Sequence, residues 1–214
     1  MKNKSKNNKN CHDHSLFRCC RPNGFIDLSP KAIQRQFETF EPIPEELKSR
    51  DQWICGKWFQ VGKDERMLPV KCDLGQIALA DIGDRKSLSS YEDAVIARAR
   101  WSFNSLLFVL TEDDPFCSIG LPTTYFNEWW IRSNKLVQRF ASYTEFFTLY
   151  HWPPTYHILI KGKMPREDFA NPLVRVSSLG WVPMTGQHLE GTPKTVENRQ
   201  KELEELCAKF TSSM

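Results

Sequence analysis

The first regular pattern along the chain is helical. Ser29 is a residue type that caps helices, Pro30 suits the first helical position, and Ile33 and Phe37 lie one turn apart on one face. Pro44 then opens a second short helical turn over the segment EELKS. Order is therefore expected to begin at this first helix.

The next patterns are typical of strands. QWICGKWFQ (52–60) and MLPVK (67–71) predict a pair of strands, and Pro69 indicates that the second is an edge strand or an irregular one. SLLFVL (105–110) is a continuous apolar run, as expected of a strand covered on both faces. CSIGL (117–121), after an acidic turn, is expected to be its neighbour in the sheet.

The rest of the chain alternates between the two patterns. Helices are predicted over 90–100 with Ser90 as the cap and Asp93 in a capping box, over 123–141, and from Pro193 to about Phe210. Strands are predicted over 143–150, 156–161, 173–177 and 181–184. Together the elements predict an α+β domain.

Composition separates an N-terminal arm from the body. Residues 1–28 are rich in Lys and Asn and then in Cys and His, without a helical or strand period, so we expect a flexible basic arm. Residues 29–190 are expected to form one domain, and residues 191–214 a terminal helix. Residues 1–36 carry eight Lys or Arg against two Asp, a net charge of +6, so the +3 of the whole chain leaves −3 for the remainder. That balance does not predict a strongly basic nucleic-acid channel in the body.

The lengths of the apolar runs and the number of cysteines indicate the cellular location of the protein. The longest apolar runs are far shorter than the roughly 20 residues of a transmembrane helix, and no apolar stretch typical of a secretory signal follows the basic start. The 7 cysteines are an odd number and fit free thiols in a reducing compartment better than a disulfide framework. We expect a cytoplasmic protein without a membrane partner.

The segment CHDHSLFRCC (11–20) is a candidate for metal binding. Its ligand types are those of zinc: Cys11, His12, His14, Cys19 and Cys20. Structural zinc sites use paired ligands about two to four residues apart, matched by a second pair downstream. Here two of the cysteines are adjacent and no second pair follows. We therefore expect incidental cysteines and histidines in the arm rather than a zinc site.

Seven segments in a fixed order carry a family resemblance. They are PEELKSRDQWICGKW (44–58), MLPVKCD (67–73), SSYEDAVIA (89–97), LLFVLTEDDPFCSIGL (106–121), SYTE (142–145), YHILIKGKMP (156–165) and MTG (184–186). Their combination resembles the bifunctional DNA primase/polymerase domain of the archaeo-eukaryotic primase superfamily, which occurs in phages, plasmids and other mobile elements. The resemblance implies a primase-like mixed sheet flanked by helices, in a single domain with a flexible N-terminal arm, and a role in DNA replication.

The metal-binding positions that the resemblance implies are altered. The family carries an Asp-hydrophobic-Asp pair, two carboxylates on one strand face that hold the divalent ions of nucleotidyl transfer. The matching positions here are Gly120 and Pro122, and neither side chain binds a metal. Glu112, Asp113 and Asp114 lie in the preceding turn, where we expect solvated acids. The family's third acidic position, before MTG, offers only serines, Ser177 and Ser178.

The family's phosphate-contacting histidine corresponds to His157. Bulky residues at 150–154 replace the small residues of the family's turn before that strand, which argues against a working phosphate cradle. His157 either faces the family's cleft or is a histidine satisfied by hydrogen bonds within its strand. Further candidate phosphate contacts are basic residues: Lys161, Lys163, Arg166 and Arg175.

The leading hypothesis is a domain that keeps the primase/polymerase fold, has lost the two-metal chemistry and binds a nucleotide, nucleic acid or a replication partner. No catalytic residue, metal or cofactor is then expected. The first alternative is an active enzyme in which displaced acids hold Mg²⁺ or Mn²⁺, the candidates being Glu112, Asp113, Asp114 and Glu145.

Two further hypotheses remain. One is an interaction protein with an exposed aromatic face, whose candidate anchors are Trp129, Trp130, Trp152 and Trp181. The other is a remnant of a longer replication protein, because resembling domains often precede a helicase.

Overall fold

The computed structural model describes residues 29–122, 135–149, 152–165, 169–170 and 174–211. Its helices are α1 (Pro30–Thr39), α2 (Glu45–Lys48), α3 (Tyr91–Trp101), α4 (Lys135–Phe140) and α5 (Gln200–Thr211), with a 3₁₀ turn at Arg85–Ser87. Its strands are β1 (Trp53–Val61), β2 (Asp64–Val70), β3 (Ser105–Leu110), β4 (Phe116–Pro122), β5 (Thr144–Leu149), β6 (Trp152–Lys161), β7 (Phe169–Ala170), β8 (Arg175–Ser177), β9 (Gly180–Met184) and β10 (Glu197–Asn198).

The first sheet has four antiparallel strands in the order β2-β1-β3-β9. β1 and β2 form a hairpin whose register runs from Cys55 opposite Val70 to Val61 opposite Asp64. Pro69 lies in β2, the outermost strand of this order, which confirms the predicted edge strand. All six residues of β3 are buried, as its continuous apolar run predicts.

The second sheet has the order β10-β6-β4-β8-β7, and β5 also pairs with β6. Its pairs are antiparallel except for the parallel pair of β10 and β6. β6 begins at Trp152, which pairs with Leu149 of β5. The sequence predicts a turn of bulky residues over 150–154, but Trp152, Pro153 and Pro154 belong to β6.

The predicted pairing of the CSIGL strand with β3 is wrong. Both edges of β3 are taken by β1 and β9, and β4 pairs instead with β6 and β8 in the second sheet. The turn between β3 and β4 redirects the chain, and Asp114 holds that turn by accepting hydrogen bonds from Thr111 N (2.9 Å), Phe116 N (2.9 Å) and Gln52 Nε2 (2.6 Å). Asp114 is thus a structural residue of the turn rather than a freely solvated acid.

The predicted helix starts are confirmed at three places. Ser29 Oγ caps α1 by accepting from Ala32 N at 3.2 Å, and Pro30 is the first residue of the helix. α2 follows Pro44 directly. Ser90 Oγ caps α3 by accepting from Asp93 N at 3.1 Å.

Two helix predictions differ from the structure. Residues 123–134 of the helix predicted over 123–141 lie outside the described residues, and its described part is α4. The terminal helix begins at Gln200 instead of Pro193, because the preceding residues pair with the end of β6. Arg199 fixes this pairing: its backbone N donates to Lys161 O at 2.9 Å and its Nε donates to Phe140 O at 2.7 Å.

The apolar faces of the elements meet in clusters that connect the two sheets. Trp53 and Phe108 of the first sheet pack edge to face, and Phe108 in turn packs on Phe116 of β4 with ring centroids 5.9 Å apart. On the opposite face of the second sheet, α4 and α5 cover β4 and β6, with Leu203 and Leu206 buried. The α+β class is confirmed.

Gly186, in the turn after β9, requires glycine. Its φ is +72°, and a Cβ at this position would lie 2.2 Å from the carbonyl oxygen of Thr39. The turn therefore approaches the end of α1 as closely as backbone atoms allow.

None of the helices in the described ranges has the length together with the apolar composition that crossing a membrane demands.

The first prediction tests the turn that separates the two sheets. Asp114→Ala removes the acceptor for Thr111 N, Phe116 N and Gln52 Nε2, so we expect it to lower the free energy of unfolding by about 2–3 kcal/mol. The measurement is urea unfolding followed by circular dichroism.

The matched control is Asp113→Ala. The Asp113 side chain is 80% exposed and bonds only Arg85 among the contacts described, so its removal is expected to change stability by no more than about 0.5 kcal/mol. Equal losses for the two variants would contradict the role given to Asp114.

Candidate functional site

A row of directly paired residues crosses the second sheet. Glu145 of β5 pairs with His157 of β6, His157 pairs with Gly120 of β4, and Gly120 pairs with Arg175 of β8. Directly paired residues of antiparallel strands project their side chains from the same face. His157 and Arg175 therefore flank Gly120 on the face that turns toward the first sheet.

Small residues on that face leave a gap between the sheets. Phe116 of β4 and Leu159 of β6 pack into the core shared with the first sheet. Ser118 and Gly120 follow on the same face of β4 and are too small to fill the space. The result is a cavity of about 470 Å³, within the size range of small-molecule sites.

The cavity has one polar and one apolar side. The polar side chains are Ser118, His157, Arg175 and Ser177. The apolar wall is formed by Ile82, Leu110, Leu179, Trp181, Val182 and Pro183. A ligand with both a polar and a flat apolar part matches this division.

His157 is a neutral histidine in this setting. Its Nδ1 lies 3.3 Å from Ser118 Oγ, and its ring contacts the edge of the Phe147 ring. Burial, together with the positive charge of Arg175, lowers the pKa of His157 to about 4. Its ring therefore offers both a donor and an acceptor nitrogen at neutral pH.

Position 120 has room for a side chain. A Cβ on Gly120 would lie 3.7 Å from Arg175 Cβ and from Thr155 Cγ2, and 3.8 Å from His157 Cε1, which are ordinary contacts. Packing therefore does not require a glycine here. Pro122 pairs with Thr155 and projects from the same face two residues further on.

The acids near the cavity do not form a metal site. Asp114 is held in its turn, and Asp113 bonds Arg85 at 2.5 Å on the surface. Glu112 and Asp113 line an adjoining cavity of about 400 Å³ that does not include His157. In the described part of the chain, no three His, Cys, Asp or Glu side chains are placed to share a metal ion. The described residues at this site therefore do not fit a Mg²⁺ or Mn²⁺ ion of the kind that the resemblance implies.

Glu145 is buried and holds the turn after β9. Its oxygens accept hydrogen bonds from Thr185 N (2.7 Å), Gly186 N (3.1 Å) and the hydroxyl of Tyr143. Burial raises the pKa of Glu145, although these hydrogen bonds oppose the shift. A metal at Glu145 would have to displace contacts that fasten β5 to the first sheet.

The predicted basic residues are not brought together. Lys161 lies four residues along β6 from His157, about 13 Å away at the rise of a strand, and its Nζ pairs with Glu46 at 2.5 Å. Lys163 is exposed near α5, where its backbone N donates to Gln200 Oε1 at 2.6 Å. Of the predicted basic residues, Arg175 lines the cavity with His157, and Arg166 lies outside the described residues.

Several other predictions also fall outside the described residues. They are those on the Cys/His segment 11–20, Trp129 and Trp130, and the side chain of Trp152. Trp181 lines the cavity. It is half-buried there and belongs to the wall of the cavity rather than to a separate aromatic face.

Sequence reasoning missed two parts of the cavity. Ser118 is two residues before Gly120, so strand periodicity alone would have placed it on the same face. Ile82 and Leu179 come from loops on either side of the cavity, and no local pattern indicates that they meet.

Comparison with known proteins finds no protein-family model that matches this chain and no curated protein that matches it.

The second prediction concerns the pH dependence of stability. The pKa of folded His157, about 4, is below the 6.5 of a free histidine, so the unfolded chain binds more protons between these values. The stability linked to His157 is intact above pH 6.5 and is lost as pH falls toward 4. At pH 5 we expect a loss of about 1–2 kcal/mol in wild type that His157→Gln does not show.

The measurement is the free energy of unfolding of wild type and His157→Gln in urea, at about pH 7.5 and about pH 5. Glu145 changes stability in the opposite direction. Because its pKa is raised in the folded state, its protonation stabilises the folded state as pH falls. The difference between wild type and His157→Gln removes this shared contribution. An identical pH dependence of the two proteins would contradict a buried neutral His157.

The third prediction introduces acids at positions 120 and 122. Gly120→Asp with Pro122→Asp places two carboxylates on one strand face beside His157, and we expect binding of Mn²⁺ at least about tenfold tighter than in wild type. The control carries Asn at both positions, which has the same shape without the charge. Isothermal titration with Mn²⁺ measures the affinities, and tight binding by wild type would show that the site already holds a metal.

Proposed function

We propose that this chain is a primase/polymerase-like domain that binds the phosphate groups of a nucleotide or nucleic acid and does not catalyse nucleotidyl transfer. The observation that carries this proposal is the row of His157, Gly120 and Arg175. In it, two phosphate-binding side-chain types flank the position where resembling enzymes hold a metal ligand. The proposed setting is DNA replication of a mobile element in the cytoplasm.

The polar side of the cavity supports phosphate as the ligand group. Arg175 is exposed, and its guanidinium supplies the fork of donors that matches phosphate oxygens. Ser118 and Ser177 add hydroxyl donors. Trp181 on the apolar wall offers a flat surface on which a base can stack.

The side chains at Gly120 and Pro122 cannot supply the carboxylates that hold metal ions for nucleotidyl transfer. Charge on the attacking and leaving oxygens is stabilised by metal ions, which need carboxylates. Gly120 has no side chain and that of Pro122 is a hydrocarbon. The carboxylates of Asp114 and Glu145 are already bonded to backbone amides. These contacts weigh against the alternative of an active enzyme that uses displaced acids.

The fourth prediction tests binding without a metal. A fluorescent ATP analogue is expected to bind the full chain in the presence of EDTA. Arg175→Ala is expected to weaken this binding about tenfold, since it removes one charge-assisted contact. Fluorescence anisotropy measures both affinities.

The matched control is Arg66→Ala, which removes one exposed positive charge from β2 in the other sheet. Its affinity should equal that of wild type. Binding that EDTA abolishes would contradict a metal-independent site, and equal losses for the two arginine variants would indicate nonspecific attraction to charge.

The same preparation tests the absence of transfer. Primer synthesis and extension with Mg²⁺ or Mn²⁺ are expected to stay at the background of a reaction without enzyme. Robust activity that His157→Gln abolishes would refute the non-catalytic assignment.

A second candidate function is a protein-interaction module. Leu74, Ile77 and Leu79, in the segment after β2, are 37–50% exposed. Apolar side chains grouped on one surface segment are typical of contact sites for other proteins. If nucleotide and single-stranded DNA fail to bind at low salt while a replication protein co-purifies, this function replaces the first.

A further inference from the structure

Two cysteine side chains lie next to each other in the first core. Cys55 is in β1, and Cys72 follows the end of β2 by two residues. Their Sγ atoms are 3.8 Å apart, and both residues are buried, Cys72 retaining 7% exposure. A disulfide has its sulfurs about 2.0 Å apart, so closing this pair needs a movement of about 1.8 Å.

Cys72 lies outside the regular hydrogen-bonded ladder. The ladder of β1 and β2 ends at the pair of Cys55 and Val70, so Cys72 lies beyond it. The following segment is held by hydrogen bonds such as Lys71 N to Ala78 O at 2.9 Å. Closing the pair would need a side-chain rotation and a small backbone shift at Cys72, at a position outside the ladder of β1 and β2.

Hydrogen bonds to the sulfur of Cys72 favour its thiolate form. A hydrogen bond with the Cys55 thiol lowers the pKa of Cys72, whereas burial raises the pKa of Cys55. Arg98 adds an uncompensated positive charge to this core. It donates to Gln36 Oε1 and stacks on the Phe40 ring, but its Nε has no partner and it forms no ion pair among the described residues.

We propose that Cys55 and Cys72 form a peroxide-reactive dithiol that closes to a reversible disulfide. The Cys72 thiolate attacks one oxygen of hydrogen peroxide, which breaks the O–O bond, oxidises the sulfur to a sulfenic acid and releases hydroxide. Cys55 then attacks the Cys72 sulfur, the S–S bond forms, and the sulfenic oxygen leaves with the thiol proton as water. Two electrons pass from the two thiols to the peroxide.

This modification site is independent of the cavity and of the proposed function. The bond joins residues 17 positions apart and fastens β1 to the start of the segment that carries Leu74 and Ile77. Its formation constrains the unfolded chain as well as this segment.

Hydrogen peroxide treatment of the full folded chain tests the proposal. After the reaction the protein is denatured, alkylated with iodoacetamide and digested with trypsin. We expect peptides 51–57 and 72–85 to appear as one linked species, about 2 Da lighter than the sum of the two free peptides. Reduction with dithiothreitol before the alkylation step is expected to yield both peptides separately, each with its cysteine alkylated.

Two variants identify the roles of the sulfurs. In Cys55→Ser the link cannot form, so the sulfenic acid of Cys72 is expected to persist and react with dimedone. In Cys72→Ser, Cys55 is expected to remain unlabelled. The internal comparison is Cys117 and Cys207, buried cysteines of the second core, which are expected to stay alkylated and unlinked in wild type.

Three results would overturn the proposal. The first is recovery of the two wild-type peptides unlinked after peroxide treatment. The second is oxidation of Cys72 to a sulfinic acid while Cys55 stays a free thiol. The third is equal linkage of Cys55 to all other cysteines, which would show that the reaction occurs in the unfolded chain.

Discussion

The register of β4 between β6 and β8 is the constraint on which the cavity depends. It directs Ser118 and Gly120 toward the first sheet and places His157 and Arg175 on the same face. A slip of one residue would turn Ile119 out of the second core, where it is fully buried, at a loss of roughly 1.5–3 kcal/mol for that side chain alone. The apolar face of β4 thus fixes the position of the polar one.

Local patterns predicted much of the fold, and pairing between distant segments accounts for the rest. Ser29 and Ser90 identify helix starts because a cap bonds within its own turn. The sheet to which β4 belongs depends on β6 and β8, which are distant in sequence, and no pattern within CSIGL encodes them. The start of α5 also depends on a distant segment. The helical pattern extends back to Pro193, but the backbone of Arg199 bonds to β6, so the helix begins after it.

The candidate site shows the same limit. Strand spacing indicates that Gly120 and Pro122 share a face, and the family resemblance points to His157. Charge alone grouped Lys161 with them, whereas an ion pair with Glu46 holds it further along the strand. Sequence alone leaves Glu145 as a candidate displaced acid, and only the three-dimensional position of Thr185 reveals that its carboxylate fastens a turn.

Gly186 and Gly120 differ in whether the surrounding structure tolerates a side chain at their positions. At Gly186 any side chain would collide with the carbonyl of Thr39, so folding by itself excludes every other amino acid there. At Gly120 an added Cβ meets neighbours only at ordinary contact distances, so the packing leaves room for a side chain to begin there. Changes at position 120 can therefore alter the chemistry of the cavity while the architecture is kept, whereas changes at position 186 act on the fold itself.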